Sequence, residues 1–183
     1  MIVAKAASSR VRNFATYGNL EAFNALLVPS IAIYYGWPDD RGGALLLAIA
    51  NAALIIGLVV GAFYWWGVAA RLKRRSDPMT RALRLADVAQ RPMIVATLTA
   101  IALCIWQIAS RGMIWTNIVA IVVTTLAALE YVNYYHVQLQ HFDNLADFKK
   151  MLRGAGFKRA HMARDLASFR GAKGRDAPDI ATG

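Results

Sequence analysis

Apolar residues run along this chain in long blocks, not in the narrow stripe of a water-facing helix. A bilayer core about 30 Å thick is crossed by roughly 20 residues of helix at 1.5 Å each. Four blocks reach that length, residues 14–37, 43–70, 92–110 and 113–136. None alternates with a two-residue period, which sets a barrel aside. The expected fold is all-α, a polytopic membrane protein whose four transmembrane helices form a bundle. The first block is the most polar, interrupted by Glu21 and Asn24, and Pro29 inside it should kink the helix or free a carbonyl near Ala25. Pro92 is expected at the first turn of the third helix, where its missing donor costs nothing.

The stretches around these blocks carry amphipathic patterns. In the connection 71–91, Ser76-Asp77-Pro78 reads as a helix start, after which Met79, Leu83 and Ala86 share one side. In the tail, Asp143 or Asn144 can cap a helix with Leu145, Phe148 and Leu152 inward. A second stretch groups Met162, Leu166 and Phe169 among Lys158, Arg159, Arg164 and Arg170. These read as interfacial amphipathic helices along the inner leaflet. The organisation that follows is a transmembrane domain over 1–142, a basic cytoplasmic tail over 143–170, and an end over 171–183 without an apolar face, expected to be disordered.

Composition agrees with a membrane protein. Apolar residues make up 57% of the 183 residues, against a soluble norm of about 45–50%. The formal charge of +10 would suggest nucleic acid in a soluble protein. Here the cations flank apolar blocks, which points to anionic headgroups of membrane lipids and not to nucleic acid. They also fix a direction. Lys5, Arg10 and Arg12 precede the first block, seven cations from Arg71 to Arg91 fill the second connection, and the tail is rich in both types. The first and third connections hold only Arg41 and Arg111. By the positive-inside rule both ends are cytoplasmic. Tyr34, Tyr35, Trp37 and Trp115 then fall at the outer interface, and Tyr64, Trp65 and Trp66 at the inner one. The outer connections are short, which argues against a receptor for large outside partners. The segment after the basic opening residues is interrupted by Glu21 and Asn24 and lacks a small-residue cleavage site, so it reads as a retained helix and not a signal peptide.

Candidate chemistry is confined to a few polar residues. Counting depth along each helix brings Glu21 and Glu130 to a similar level towards the inner leaflet. Asn24 and Asn133 each follow three residues later on the same face. A carboxylate at that depth is costly unless paired, protonated or hydrated. The quartet is therefore either a proton or cation site or an interhelical hydrogen-bond clasp, with Arg91, Arg12 or Arg84 reaching in. Asn51, Gln107 and Asn117 are isolated in apolar turns and more often join helices by hydrogen bonds than line a pathway. His136 and His141 are candidates for pH sensing or ligand contact, against a plain interfacial role. The spacing of His and carboxylate favours no metal. Ala53, Gly57 and Gly61 form a small-residue face that admits a close neighbour, in the same chain or in a second copy. Cys104, the single cysteine, reads as a packing residue. Lipid or partner contact falls to Arg71, Lys73, Arg74, Arg75, Lys158, Arg159 and Arg164.

The run from Leu129 through Glu130, Tyr131, Asn133, Tyr134, Tyr135 and His136 to Leu139, followed by the basic stretch from Phe148 to Leu166, resembles the C-terminal part of small uncharacterised bacterial four-helix membrane proteins. Some of those carry the label of general stress proteins. The resemblance covers the last third of the chain and implies a bacterial inner-membrane location without an established chemistry. No phosphate loop, nucleophile elbow, zinc-protease pair or dinucleotide fingerprint occurs in the chain, and no cofactor is implied. The leading expectation is a non-enzymatic accessory or scaffold protein whose basic face meets lipid, a protein partner or a second copy in a homo-oligomer. The alternative is a small transporter or proton-linked carrier using the two glutamates. A membrane enzyme acting on lipid or quinone comes third and would need an open pocket around His136 and Glu130.

Overall fold

A computed structural model describes residues 2–38, 40–137 and 159–175. Among them the chain is all-helical and without strands: α1 Ile2–Tyr35, α2 Arg41–Leu72, α3 Asp77–Arg111, α4 Trp115–Tyr135 and α5 His161–Arg175. Three of these, α2, α3 and α4, are long and apolar enough to cross a membrane. In α1, Asn19, Glu21, Asn24 and Ser30 dilute the apolar content.

The helix ends follow from local chemistry. Asp40 caps α2, its Oδ1 accepting the Gly43 N–H at 2.7 Å, and the same carboxylate pairs with Arg111 at the end of α3. That pair ties the first and third connections to each other. Pro78 lies in the first turn of α3, where a missing N–H is harmless. Gly112 stops α3 at φ +75°, a backbone setting that side-chain-bearing residues disfavour.

Helix α2 is the centre of the bundle, packing against α1, α3 and α4. The core has two parts of different texture. The part nearer the α2 N-terminus is rich in alanine, with Ala50, Ala53, Ala100, Ala120 and Ala127 beside Leu46, Leu54 and Val123. Small side chains there let the helices approach closely, the usual solution where lipid supplies no hydrophobic drive for helix association. The other part, the inner core around the C-terminal half of α2, is built from Tyr64, Met79, Leu83, Met93, Tyr134, Met162 and Leu166. Large apolar residues face outward instead: Leu26 on α1, Ile105 on α3 and Val122 on α4 are all exposed. Such a surface suits hydrocarbon better than water.

Several expectations change. The third crossing and the short helix before it are one continuous helix, so Pro92 lies inside α3 and not at its first turn. Residues 79–91 carry good helix formers, and Met79, Leu83, Ala86 and Met93 bury on one side, so nothing imposes a break. The first helix begins at Ile2, well before residue 14. The apolar sides of 79–86 and of α5, expected along the inner leaflet, are buried against the bundle. Met162 and Leu166 are 1% and 2% exposed and join Met79 and Leu83 in the inner core. Helix α5 also continues to Arg175, so 171–175 are helical where disorder was expected. Residues 143–158 of the tail and 176–183 lie outside the described residues.

Candidate functional site

The site forms where α1, α2 and α4 meet at the inner core. Glu21 comes from α1 and Tyr134 from α4, and the tyrosine hydroxyl donates to Glu21 Oε1 at 2.6 Å. This contact is possible because α2 has no side chain between them. A Cβ on Gly61 would land on the Tyr134 hydroxyl and ring, so the glycine leaves the slot that the tyrosine fills. One turn earlier, Gly57 is covered by Met93 and by Glu130, whose Cβ lies 3.2 Å from where a Gly57 Cβ would stand. The Ala53, Gly57, Gly61 face therefore receives, at its glycines, side chains of α3 and α4 from the same chain.

Glu130 lies within electrostatic reach of Glu21 and of the Tyr134 hydroxyl. Its Oε2 is buried and has no hydrogen-bond partner. The Trp65 indole nitrogen lies beside the Tyr134 hydroxyl, outside hydrogen-bond geometry, and is itself buried without a partner. Phe14 stacks on Trp65 at 5.5 Å with the rings nearly parallel. The result is two carboxyls, one phenol and one indole N–H enclosed by apolar and aromatic walls. An acceptor without a donor at that depth is satisfied by a bound proton, a cation or a water.

Of the expected quartet, the structure brings Glu21 and Glu130 together. Asn24 and Asn133 are half-buried one turn along from each. Among the described residues no ion pair joins Arg12, Arg84 or Arg91 to either glutamate, so the clasp is made by Tyr134 in place of arginine. Tyr134 was legible: it lies four residues after Glu130 and therefore on the same face. What sequence spacing does not carry is that this face meets Gly61.

The histidines do not join this group. His136 ends α4, exposed, with its ring 5.2 Å from Tyr131. Its carbonyl accepts the Ala160 N–H at 3.1 Å, which fixes the start of α5 against the end of α4. His141 lies outside the described residues. Among the described residues no group of His, Cys, Asp and Glu is arranged to hold a metal ion.

The isolated polar residues behave differently from expectation. Asn117 donates to the Gly112 carbonyl at 2.8 Å, a bond to its own connection and not to another helix. Both amide atoms of Asn51 and the Gln107 Oε1 are buried without partners. Cys104 packs with its Sγ 3.6 Å from Thr124 Oγ1.

A second set of polar contacts closes the end of the bundle at the α2 C-terminus. Asp165 on α5 accepts the Tyr64 hydroxyl at 3.0 Å and pairs with Arg71 at 3.4 Å. Arg170 reaches α3, with Nε on Asp87 and Nη2 on Gln90, both at 2.6 Å. Tyr135 donates to the Ala86 carbonyl at 2.9 Å. Arg164 contacts His161 Nδ1 at 3.1 Å. Lys73, Arg74, Arg75 and Arg159 are exposed, and Lys158 lies outside the described residues. Sequence reasoning assigned Arg71 and Arg164 to lipid or partner contact; each also has a partner within the chain.

No family model matches this chain, and neither a curated protein nor a solved structure matches it.

Proposed function

We propose that this chain is a four-crossing protein of a bacterial inner membrane, with both ends cytoplasmic, acting without catalysis as an accessory or scaffold subunit. Its basic cytoplasmic face meets anionic lipid, a protein partner or a second copy of the chain. The fourth crossing is α1. Its Glu21 turns inward to Tyr134 and its exposed Asn19 accepts the Trp66 indole N–H of α2, while Leu20, Phe23, Leu26 and Ile31 are exposed on its outer side. The distribution of lysine and arginine supports the direction.

The observation that carries the functional reading is the closed inner end. The apolar side of α5 is buried in the bundle, while Arg164, Arg170, Lys173 and Arg175 are exposed, as are Lys73, Arg74 and Arg75 after α2. A closed cap with a cationic rim suits docking on headgroups or on an acidic surface. The test is extraction of the tagged full chain from its native membrane into lipid nanodiscs, followed by identification of what accompanies it. A stoichiometric protein or an excess of anionic lipid supports the reading; neutral lipid alone, with no companion, removes it.

The unpartnered Glu130 Oε2 beside Glu21 favours a second reading, a proton-linked carrier. Purified protein in vesicles would then dissipate an imposed proton gradient, and Glu130→Gln would stop it. No flux under any imposed gradient rules the carrier out.

A further inference from the structure

On the side of the inner end that faces outward from α3 and α4, the surface opens into a groove of about 610 Å³. Its lining includes Asp87, Gln90, Arg91, Ile94, Tyr131 and Arg170. Two guanidinium groups reach it, and they differ in state. Arg170 is held by Asp87 and Gln90. Arg91 follows Asp87 by four residues on the same face of α3, but Asp87 is already engaged by Arg170. Arg91 is exposed and makes no ion pair or hydrogen bond among the described residues. Two cations against one carboxylate leave the groove with a net positive charge.

The surroundings of Arg91 are those of a bilayer edge. At 100° per residue, Val88, Arg91, Val95 and Leu98 fall on one stripe of α3. The three apolar members are exposed by 70%, 61% and 58%. Arg84, two turns earlier on the same stripe, is also exposed, and an unpaired cation beside exposed apolar residues is costly in hydrocarbon unless an anion meets it. An arginine fork matches a phosphate in two parallel hydrogen bonds, and basic pockets between helices on the cytoplasmic side are suited to lipid headgroups.

We propose that this groove binds one anionic phospholipid of the inner leaflet, with Arg91 on the phosphate and acyl chains along Val95 and Leu98. The proposal rests on the reading above, in which this end is cytoplasmic and lies at a membrane. Ile94 and Tyr131 supply the apolar wall beneath the headgroup, and the Arg170–Asp87 pair fixes the edge of the groove that α5 contributes.

The test is native mass spectrometry of the full chain released from nanodiscs of equal phosphatidylglycerol and phosphatidylcholine. The wild type should retain a single phosphatidylglycerol. Arg91→Gln should lower that retention by about tenfold, the scale of one lost charge-assisted hydrogen bond, and Arg91→Lys by less. Arg75→Gln, a cation outside the groove, should retain lipid as the wild type does. Unchanged thermal unfolding of Arg91→Gln, an exposed substitution, excludes misfolding as the cause. Equal retention by Arg91→Gln and wild type overturns the site, as does an equal loss in Arg75→Gln, which signals diffuse attraction. Displacement of the lipid by soluble glycerol phosphate at matched concentration overturns the acyl-chain bed. Phosphatidylglycerol enrichment that ignores Arg91 sinks the groove and leaves the basic face standing. No enrichment over phosphatidylcholine removes the lipid arm of the wider reading as well.

Discussion

Tyr134 meets two requirements at once. Its ring needs the room that Gly61 leaves, and its hydroxyl gives the buried Glu21 carboxyl a donor. Removing the hydroxyl in Tyr134→Phe leaves that acceptor enclosed and unsatisfied, which costs about 1–3 kcal/mol. Thermal unfolding in detergent should show the drop; an unchanged midpoint would mean that water already serves Glu21. The two glycines make a sharper comparison. At Gly57 an added methyl meets the flexible end of Met93, which can swing aside, and the Glu130 Cβ at 3.2 Å, which need give only a few tenths of an ångström. At Gly61 it meets a ring anchored through Glu21. Gly61→Ala should therefore cost about 1–3 kcal/mol and Gly57→Ala clearly less. Equal losses at both positions would show that the anchored ring decides nothing. At this scale the sequence was partly readable. The depth of Glu21 and Glu130 and the small-residue face follow from counting along helices. That the face is filled by a tyrosine depends on which helices are neighbours, and helical periodicity within a helix does not encode that.

The element most misjudged from its pattern is α5. Met162, Leu166 and Phe169 on one side with arginines opposite were legible as an amphipathic helix. The pattern is the same whether that side meets acyl chains or a protein core, because both are equally apolar. What decides the matter lies outside the element: the Ala160 N–H on the His136 carbonyl, Asp165 on Tyr64 and Arg71, and Arg170 on Asp87. These bonds link residues far apart in sequence and set α5 on the bundle. The same ambiguity merged residues 77–91 into α3, since an apolar side continuous from Met79 to Met93 gives the chain no reason to turn. If α5 is docked as described, Leu166→Asp buries a charge in the inner core and should release the helix. Trypsin would then cut at Arg164 and Arg170 in the variant much faster than in the wild type, with the bundle itself protected. Equal cleavage rates would mean that α5 already lies free on the membrane.

For the whole molecule the open quantity is the number of crossings, and it turns on α1. Composition leaves α1 short of α2, α3 and α4 because its polar residues weigh against it. Packing argues the other way. Two α1 polar groups bond to neighbouring helices: Asn19 accepts the exposed Trp66 indole N–H of α2, and the half-buried Glu21 accepts the Tyr134 hydroxyl of α4. Its far end is held where the Trp115 indole N–H meets the Tyr35 carbonyl at 2.7 Å. A helix pinned along its length to α2 shares the environment of α2, so if α2 spans the bilayer then α1 spans it too. The proposed direction rests on lysine and arginine: the turn joining α1 to α2 and the turn joining α3 to α4 are bordered by one arginine each, Arg41 and Arg111, and Arg111 pairs with Asp40. Reporter fusions at Gly42 and Gly112 should then read outside, and fusions at Ser76 and Gly183 inside. A fusion ahead of Ile2 separates the two counts. An inside signal there with an outside signal at Gly42 requires α1 to cross, whereas the same side for both would lay α1 along the surface, leave three crossings, and take Glu21 out of the bilayer altogether.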